Sequence, residues 1–269
     1  MSDDLLVRSR STLLDALEAL RAQGHAVIVI GAQAVYLRTG GIDVALAEAT
    51  KDSDVTIDPR RLNDAPLLEE AMRSAGFFPL DQPGSWARED GIPIDLMVPE
   101  GLGGGGRRGA RIPPHSKRAT RKARGLEAAL VDFGELEISA IDHGDGRTMR
   151  ANVAGSAALL VAKLHKIAER VEAPHRLNDK DAHDIYRILR AESTDDLRRS
   201  FSGLLSDELS RVASEEALAH LARLFAAGDS AVGSLMAGRA EVGIGSPAEV
   251  SAASAVLSSD LIDALRRDS

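Results

Sequence analysis

The pattern of apolar and polar positions along the chain changes its period near residue 151. Before that point, short continuous apolar runs indicate strands, while leucines three and four residues apart indicate helices. The elements predicted there are a helix over 4–23, a strand over 26–30, a short helix over 32–39, a strand within 49–59, a helix over 64–76, a strand over 91–100 and a strand pair over 136–141 and 148–153. After that point, helical spacing prevails, over 155–171, 179–191, 206–226 and 249–266. We therefore predict a mixed α/β domain at 1–150 and a helical domain at 151–269.

Residues 101–125 break this pattern with glycine, proline and basic side chains. Five of the six positions 101–106 are glycine and Pro113–Pro114 follow, so we predict a mobile loop without regular structure. No acidic residue lies between Glu100 and Glu127, and the eight basic residues there are Arg107, Arg108, Arg111, Lys117, Arg118, Arg121, Lys122 and Arg124. We predict a basic flap at 107–124 that closes on the phosphates of an NTP or of an RNA acceptor. The alternative is a solvated insertion.

Composition narrows the class of protein. The net charge of −8 argues against coating nucleic acid by bulk electrostatics, and the absence of cysteine excludes disulfides and thiolate metal sites. No apolar run approaches the roughly 20 residues of a membrane helix, and the N-terminus lacks the order of a secretory signal. We therefore expect a cytoplasmic protein without a membrane partner. With only eight aromatic residues, we expect no platform for stacking a run of bases.

Aspartates on alternate positions of a predicted strand are the first candidates for chemistry. Asp52 and Asp54 share one strand face, whereas Asp58, next to Pro59, is assigned to the turn that follows. Adjacent carboxylates repel each other unless a cation lies between them, and Mg²⁺ accepts carboxylate and phosphate oxygens. Asp95 interrupts the next apolar strand and can join the pair if the strands are neighbours. Three such carboxylates suit a two-metal site for phosphoryl transfer; the alternative is a charged edge strand that resists aggregation.

Charged residues also recur at helical spacing in the C-terminal half. Lys163, Lys166 and Arg170 form a positive stripe on one predicted helix, and Asp181 and Asp184 line the next. In one interpretation these charges pair across the seam between two packed helices. In the other, Lys163 or Lys166 binds nucleotide phosphates while an aspartate orients it. The spacing does not choose between the two lysines.

Taken together, the order of these motifs resembles a known superfamily. A strand running into Gly31-Ala32, then "TKDSDVTI", a separate strand with "IDLMV", and later "LLVAKLHKIAERVEAPHRLNDKDAHDIYRIL" are similar to the DNA polymerase β-like nucleotidyltransferases. Within that superfamily, the chain resembles the AbiEii/AbiGii-type nucleotidyltransferase toxins of abortive-infection toxin–antitoxin systems over roughly 26–190. The resemblance implies an α+β fold, with a small mixed sheet flanked by helices and a helical C-terminal region.

The same resemblance implies an activity and a set of residues. The activity is Mg²⁺-dependent transfer of a nucleotide from an NTP such as ATP to an acceptor hydroxyl, with the 3′ end of tRNA as acceptor and an antitoxin as partner. The residues implied for nucleotide binding are Gly31, Ala32, Thr50, Lys51, Lys166, Arg170 and Asp184. Those implied for metal binding are Asp52, Asp54 and Asp95, and those for catalysis are the same three with Lys163 and Asp181.

Two alternatives to this activity stay open. The acceptor hydroxyl can belong to a small molecule such as an antibiotic, or to a protein, as in other relatives. The chain can also be a catalytically degenerate fold that serves as a binding or regulatory module. Glu48 and Ala32 favour this second alternative, because the family often has arginine and a glycine or serine at these positions.

Overall fold

A computed structural model describes residues 2–40, 53–89, 91–106 and 108–267 of the chain. The described helices are α1 (Ser2–Ala19), α2 (Gly31–Thr39), α3 (Leu68–Ser74), α4 (Ser156–Ala168), α5 (Asp179–Ala191), α6 (Thr194–Ser206), α7 (Arg211–Leu221), α8 (Val232–Arg239) and α9 (Pro247–Arg266). The described strands are β1 (Val27–Ile30), β2 (Ser53–Ile57), β3 (Phe78–Pro79), β4 (Ser85–Ala87), β5 (Pro93–Pro99), β6 (Arg121–Ala123), β7 (Phe133–Ser139) and β8 (Thr148–Ala154).

The strands form one mixed sheet in the order β3-β4-β5-β2-β1-β8-β7, with β6 also paired to β5. Pairing is parallel between β2 and β5, between β1 and β8 and between β5 and β6, and antiparallel elsewhere. The run of β-branched residues in β1 is buried along its whole length, as expected of a strand with neighbours on both edges. β8 spans residue 151, so the two halves of the chain contribute to one sheet.

Helices cover the sheet and continue into a helical C-terminal region. α1 contacts β2 and β5, and its leucines Leu13, Leu14 and Leu17 are buried. α2 packs against β1, β2, α4 and α5, which brings the C-terminal helices next to the central strands. The remaining helices, α6 to α9, pack on one another, with α6 and α7 also on α4 and α8 and α9 also on α5. The predicted architecture, a mixed sheet flanked by helices with a helical C-terminal region, is therefore confirmed.

Several predicted elements are confirmed and one prediction is wrong. The pairing of β7 with β8 and the span of α5 agree with prediction, and Asp58 lies in a turn where it accepts a hydrogen bond from the backbone N–H of Arg60 at 3.0 Å. The helix predicted over 206–226 is confirmed from Arg211 onward, because α7 continues into a π-helical turn at Ala222–Ala226, whereas α6 and α8 were not predicted. The prediction that 101–125 excludes regular structure is wrong, because β6 pairs with β5 there. None of the helices in the described part of the chain has the length and apolar character of a membrane span.

Candidate active site

Asp54 and Asp95 lie side by side at the centre of the sheet. They are register partners on the parallel strands β2 and β5, which places their backbones about 5 Å apart. Asp54 is also the partner of Ile30, the last residue of β1. Residues opposite each other on neighbouring strands project from the same face, so the two carboxylates face the same space. The two aspartate-bearing strands are therefore neighbours, which is the condition for Asp95 to join Asp54.

Gly31 brings the N-terminus of α2 directly against Asp54. Its backbone has φ +70°, and a Cβ atom there would lie 2.2 Å from Oδ2 of Asp54. Glycine alone satisfies both conditions, because it tolerates positive φ and leaves room for the carboxylate. The first N–H groups of a helix carry partial positive charge and bind anions. The strand-to-helix turn therefore sets an anion-binding helix end beside the carboxylate pair.

Within the described residues, the Asp54 carboxylate has no partner of its own. The described part of the chain forms no hydrogen bond or ion pair with it. Burial, and secondly the charge of Asp95, raise the pKa of Asp54 to about 6, against the opposing charges of Lys166, Arg121 and Lys163. The ionised form is thus disfavoured in the folded protein, and a cation bound between the carboxylates would relieve that penalty.

Asp95, in contrast, is held by two side chains. Ser85 on β4 donates a short hydrogen bond to Oδ1, and Arg121 on β6 donates to Oδ2 at 2.6 Å. Arg121 keeps one further donor, Nε, buried and without a hydrogen-bond partner among the described residues. Sequence reasoning assigned Arg121 to a basic flap and missed this contact. The pairing of β6 with β5, which places Arg121 opposite Met97, is what turns it toward Asp95.

Behind the pair, a buried polar network holds the beginning of β2. Ser53 Oγ donates to the carbonyl of Ser9 on α1 at 2.9 Å, and the Oγ atoms of the two serines lie 3.0 Å apart. Gln33 on α2 donates to Ser9 Oγ at 3.1 Å and accepts from Nε of Arg10 at 2.8 Å. Because strand residues alternate faces, these bonds to Ser53 turn Asp54 toward the opposite face, where Gly31 lies.

A second charged cluster joins α4 to α5. Nζ of Lys163, which is buried, donates to Asp181 Oδ1 at 2.8 Å and to Asp184 Oδ2 at 2.6 Å. Lys166 donates to the same oxygen of Asp181 at 2.9 Å, and Arg170 lies 3.7 Å from Oδ2. Burial opposes ionisation throughout, yet the two aspartates raise the pKa of Lys163, and the two lysines lower the pKa of Asp181. We call this set the α4–α5 charge cluster.

The two candidate lysines of the α4–α5 charge cluster differ in exposure. Lys163 is enclosed, with its donors directed to two carboxylates, whereas the side chain of Lys166 is 41% exposed. Lys180, at the start of α5, is a further cation that sequence reasoning did not select. It forms no ion pair within the described residues, and burial lowers its pKa to about 8, with nearby Lys163 and Lys166 adding to the shift. Its position directly before Asp181 is the sequence feature by which it could have been selected.

The remaining predicted site residues are placed as follows. Ala32, in the first turn of α2, is buried with 8% of its surface exposed. Thr50, Lys51 and Asp52 lie outside the described residues, as do Glu48 and Arg107. Among the basic residues of 107–124, Arg121, Lys122 and Arg124 bond to Asp95, to Gly104 and to Glu216 respectively. The others in the described part, Arg108, Arg111, Lys117 and Arg118, are exposed and form no ion pair there.

The donor set fits a hard cation. Asp54 and Asp95 present carboxylate oxygens at one face of the sheet, and carboxylate oxygen is the ligand that Mg²⁺ prefers. Within the described residues, no group of three or more histidine, aspartate or glutamate side chains is gathered for a metal. The third predicted ligand, Asp52, lies outside those residues.

Comparison with known proteins finds only distant similarity. No family model matches the chain, and none of the curated proteins does. The solution structure of the antibiotic-resistance factor ANT(2'')-Ia aligns with 80% of this chain and 98% of its own, at 13% identity and TM-score 0.42. A crystal structure from H. pylori that bears the name nucleotidyltransferase aligns with 98% of this chain and 97% of its own, at 10% identity and TM-score 0.35. At these scores neither similarity carries an argument about activity.

Proposed function

We propose that the chain is a Mg²⁺-dependent nucleotidyltransferase of the DNA polymerase β-like superfamily, which transfers a nucleotide from an NTP to an acceptor hydroxyl. The observation that carries the proposal is the carboxylate pair Asp54 and Asp95, set against the N-terminus of α2 at Gly31. The Asp54 carboxylate, which has no partner among the described residues, suits a cation, and the N-terminus of α2 suits an anion. A magnesium nucleotide offers both.

In this reaction the acceptor oxygen forms a bond to the α-phosphorus of the NTP, the bond to the β-phosphate oxygen breaks, and pyrophosphate leaves. Asp54 and Asp95 would hold Mg²⁺ together with Asp52, and the ion supplies charge stabilisation for the phosphoryl oxygens. Asp95 also faces the acceptor and accepts its proton. Arg121 holds the Asp95 carboxylate in position through the 2.6 Å ion pair.

The α4–α5 charge cluster would contribute cations for the phosphates. Lys166 and Lys180 are the candidates, because one is partly exposed and the other forms no ion pair among the described residues. Lys163 is instead a positioning residue, whose two carboxylate contacts lock α4 onto α5. Gly31 admits the triphosphate to the backbone N–H groups of α2.

We further propose the 3′ end of an RNA, such as tRNA, as the acceptor. This fits a toxin of a toxin–antitoxin pair whose partner antitoxin restrains it. Support comes from four exposed cations without an ion pair in the described part of the chain, Arg108, Arg111, Lys117 and Arg118. Exposed cations without an ion pair among the described residues, in an acidic protein, favour a polyanionic partner.

A labelling experiment tests both the nucleotidyl transfer and the identity of the acceptor. The protein is incubated with each α-³²P-labelled NTP, Mg²⁺ and a mixture of total tRNA, an aminoglycoside and cell protein, and the labelled product is identified. We expect label on RNA, and a loss of at least about 100-fold in Asp54→Asn, as for lost metal-site residues. Asp260→Asn, an exposed aspartate of α9, is the matched control and keeps full activity.

The outcomes separate the acceptor from the activity. Label on the aminoglycoside or on protein would replace the RNA acceptor and leave nucleotidyl transfer in place. Activity that persists in both Asp54→Asn and Asp95→Asn would contradict the catalytic assignment itself. Absence of label with every NTP and acceptor, together with Mg²⁺-dependent NTP binding, would favour the degenerate binding module.

A further inference from the structure

A cavity of about 520 Å³ opens beside Asp95, at the edge of the sheet formed by β3 and β4. Its lining includes Phe78, Asp81, Gln82, Ser85 and Asp95, with prolines between them. Cavities of roughly 300–1,000 Å³ accommodate small ligands or the terminal unit of a larger one. We call it the Phe78 cavity.

The Phe78 cavity lies on the side of Asp95 away from Asp54. Strand β5 has β4 on one edge and β2 on the other, so Asp95 is opposite Ser85 in one direction and Asp54 in the other. The cavity is lined by Ser85 and Asp95 and not by Asp54. A group in the cavity therefore reaches Asp95 from the side opposite the proposed metal and nucleotide. This is the direction from which an acceptor hydroxyl would approach.

Phe78 supplies an unusual surface to the cavity. Phenylalanine normally buries its ring, and Phe77, its neighbour, is 2% exposed, but Phe78 is 45% exposed. An exposed ring beside a polar cleft is suited to stacking with the flat face of a base. With one such ring at the cavity, a single base is accommodated, which agrees with the small number of aromatic residues in the chain.

Charge is arranged in two zones around the cavity. Inside, the carboxylates of Asp81 and Asp95 accept hydrogen bonds from hydroxyl and amino groups and repel phosphate. At the rim, Nη2 of Arg118 donates to the carbonyls of Leu80 at 3.0 Å and Asp81 at 3.2 Å, which fixes that cation to the cavity wall. The backbone N–H of Gly84 donates to the carbonyl of Arg118 at 2.9 Å, so the basic segment borders the turn between β3 and β4. This arrangement would orient a ligand that carries a neutral hydroxyl at one end and phosphates along the rest. The hydroxyl would lie inside the cavity and the phosphates at its rim.

We propose that the Phe78 cavity binds the 3′-terminal nucleoside of a single-stranded RNA end. The terminal base stacks on Phe78, the terminal hydroxyl donates to Asp95, and the phosphates that precede it follow the rim cation Arg118 and the exposed Lys117 that precedes it in the chain. The inference rests on the proposed function, because it assigns the acceptor side of that same site. It adds a specific cleft, a stacking residue and a direction of entry for the strand.

Binding in the absence of NTP tests the assignment without chemistry. The probe is a hexaribonucleotide with a 5′ fluorescein and a free 3′ hydroxyl, followed by fluorescence anisotropy in Mg²⁺. We expect Phe78→Ala to weaken binding about ten-fold, within the range for loss of one stacked base, and Phe78→Trp to retain it. Val256→Ala, which removes an exposed apolar side chain on α9, is the matched control and leaves affinity unchanged.

The rim is tested by salt dependence. Lys117→Ala should weaken binding of the same probe and reduce the slope of log affinity against log salt by roughly 0.7, the value for one lost phosphate contact to a single strand. Phe78→Ala should leave that slope unchanged, because stacking releases no counterions. This difference separates the two zones of the cavity.

Two results would overturn the cavity assignment, and a third would uphold it even if the protein transfers no nucleotide. Equal affinity of wild type and Phe78→Ala for the RNA would overturn it. A loss of fluorescent-nucleotide binding in Phe78→Ala, with RNA binding intact, would assign the cavity to the NTP and also overturn it. Phe78-dependent RNA binding by a protein that transfers no label would uphold the cavity and contradict the proposed function.

Discussion

Two clusters of charge lie close together in this protein and have opposite characters. In the α4–α5 charge cluster, each carboxylate has a cation within 3 Å, and burial strengthens the attraction between them. At the centre of the sheet, Asp54 faces another carboxylate and has no direct partner in the described part of the chain. The first arrangement is complete in itself and stabilises the contact between two helices. In the proposed function, a bound cation would complete the second.

The pKa shifts express the same difference. Burial penalises every one of these groups, but its net effect depends on the neighbours. For Asp181, the charges of Lys163 and Lys166 outweigh burial and lower the pKa, whereas for Asp54 burial and Asp95 together raise it to about 6. Proximity to cations is therefore not sufficient to stabilise a carboxylate. Direct contact with a hydrogen-bond donor is what distinguishes Asp181 from Asp54.

Removal of the cation at the centre of the α4–α5 charge cluster should have the largest effect on stability. In Lys163→Met, Asp184 loses its ion-pair partner and Asp181 loses one of three, so the free energy of unfolding should fall by about 3–5 kcal/mol. Urea denaturation followed by circular dichroism measures the change. The matched control is Lys166→Met, the same substitution at a partly exposed lysine, which should cost less than about 1 kcal/mol.

A compensating variant decides whether the loss comes from unpaired charge. Lys163→Met combined with Asp181→Asn and Asp184→Asn removes the buried ions together and should recover most of the stability. If the triple variant is as unstable as Lys163→Met alone, packing of the lysine stem rather than its charge stabilises the contact between α4 and α5.

The same kind of substitution at the sheet should act in the opposite direction. Asp54→Asn keeps the shape of the side chain and removes a like-charge contact, so it should raise the free energy of unfolding by up to about 1 kcal/mol at pH 8 without divalent cations. Thermal unfolding with EDTA and with 10 mM Mg²⁺, roughly a saturating concentration, measures the effect. With Mg²⁺ the advantage should disappear, because the cation stabilises only the wild-type site. An unchanged advantage in Mg²⁺ would argue against a cation between Asp54 and Asp95.

The smallest expected effect is a pH dependence of NTP affinity that arises from Lys180. The pKa of Lys180 is lowered from 10.5 to about 8, so its ammonium is charged below that pH and becomes neutral above it. Affinity for a fluorescent NTP analogue should therefore fall roughly three-fold as pH rises from 7 to 9, the contribution of one exposed ion pair. Lys180→Arg stays charged over this range and should show no such fall. A parallel pH dependence in both proteins would exclude Lys180 from the phosphate site.

Sequence pattern predicted the central parts of the molecule because they are long and regular. The apolar run of β1, the aspartate interrupting β5 and the amphipathic spacing of α5 each leave a signal over several residues. Asp54 and Asp95 could be selected because charge within a predicted buried strand needs an explanation. Their direct opposition on β2 and β5 could only be assumed, since strand order depends on contacts between distant segments.

The parts that were missed are short or depend on tertiary contacts. β3 and β4 contain two and three residues, too few for a periodic pattern, yet they form the wall of the Phe78 cavity. Arg121 looked like one of eight equivalent cations, and only the pairing of β6 distinguishes it. Lys163 and Lys166 lie on the same predicted helical stripe, and their different exposure comes from the packing of α4 against α5.

The parallel pairing of β2 with β5 also has a consequence for how the protein acquires its site. Parallel neighbours require a crossover, and here the connection between the two strands contains α3, β3 and β4. Contacts between segments distant along the chain form late in folding, because the entropy of loop closure must be offset first. The repulsion between the two carboxylates is thus absent from early intermediates and arises as the sheet closes. A divalent cation held between the two carboxylates, as proposed, would bind only the closed sheet, so it should slow unfolding and leave the rate of folding nearly unchanged.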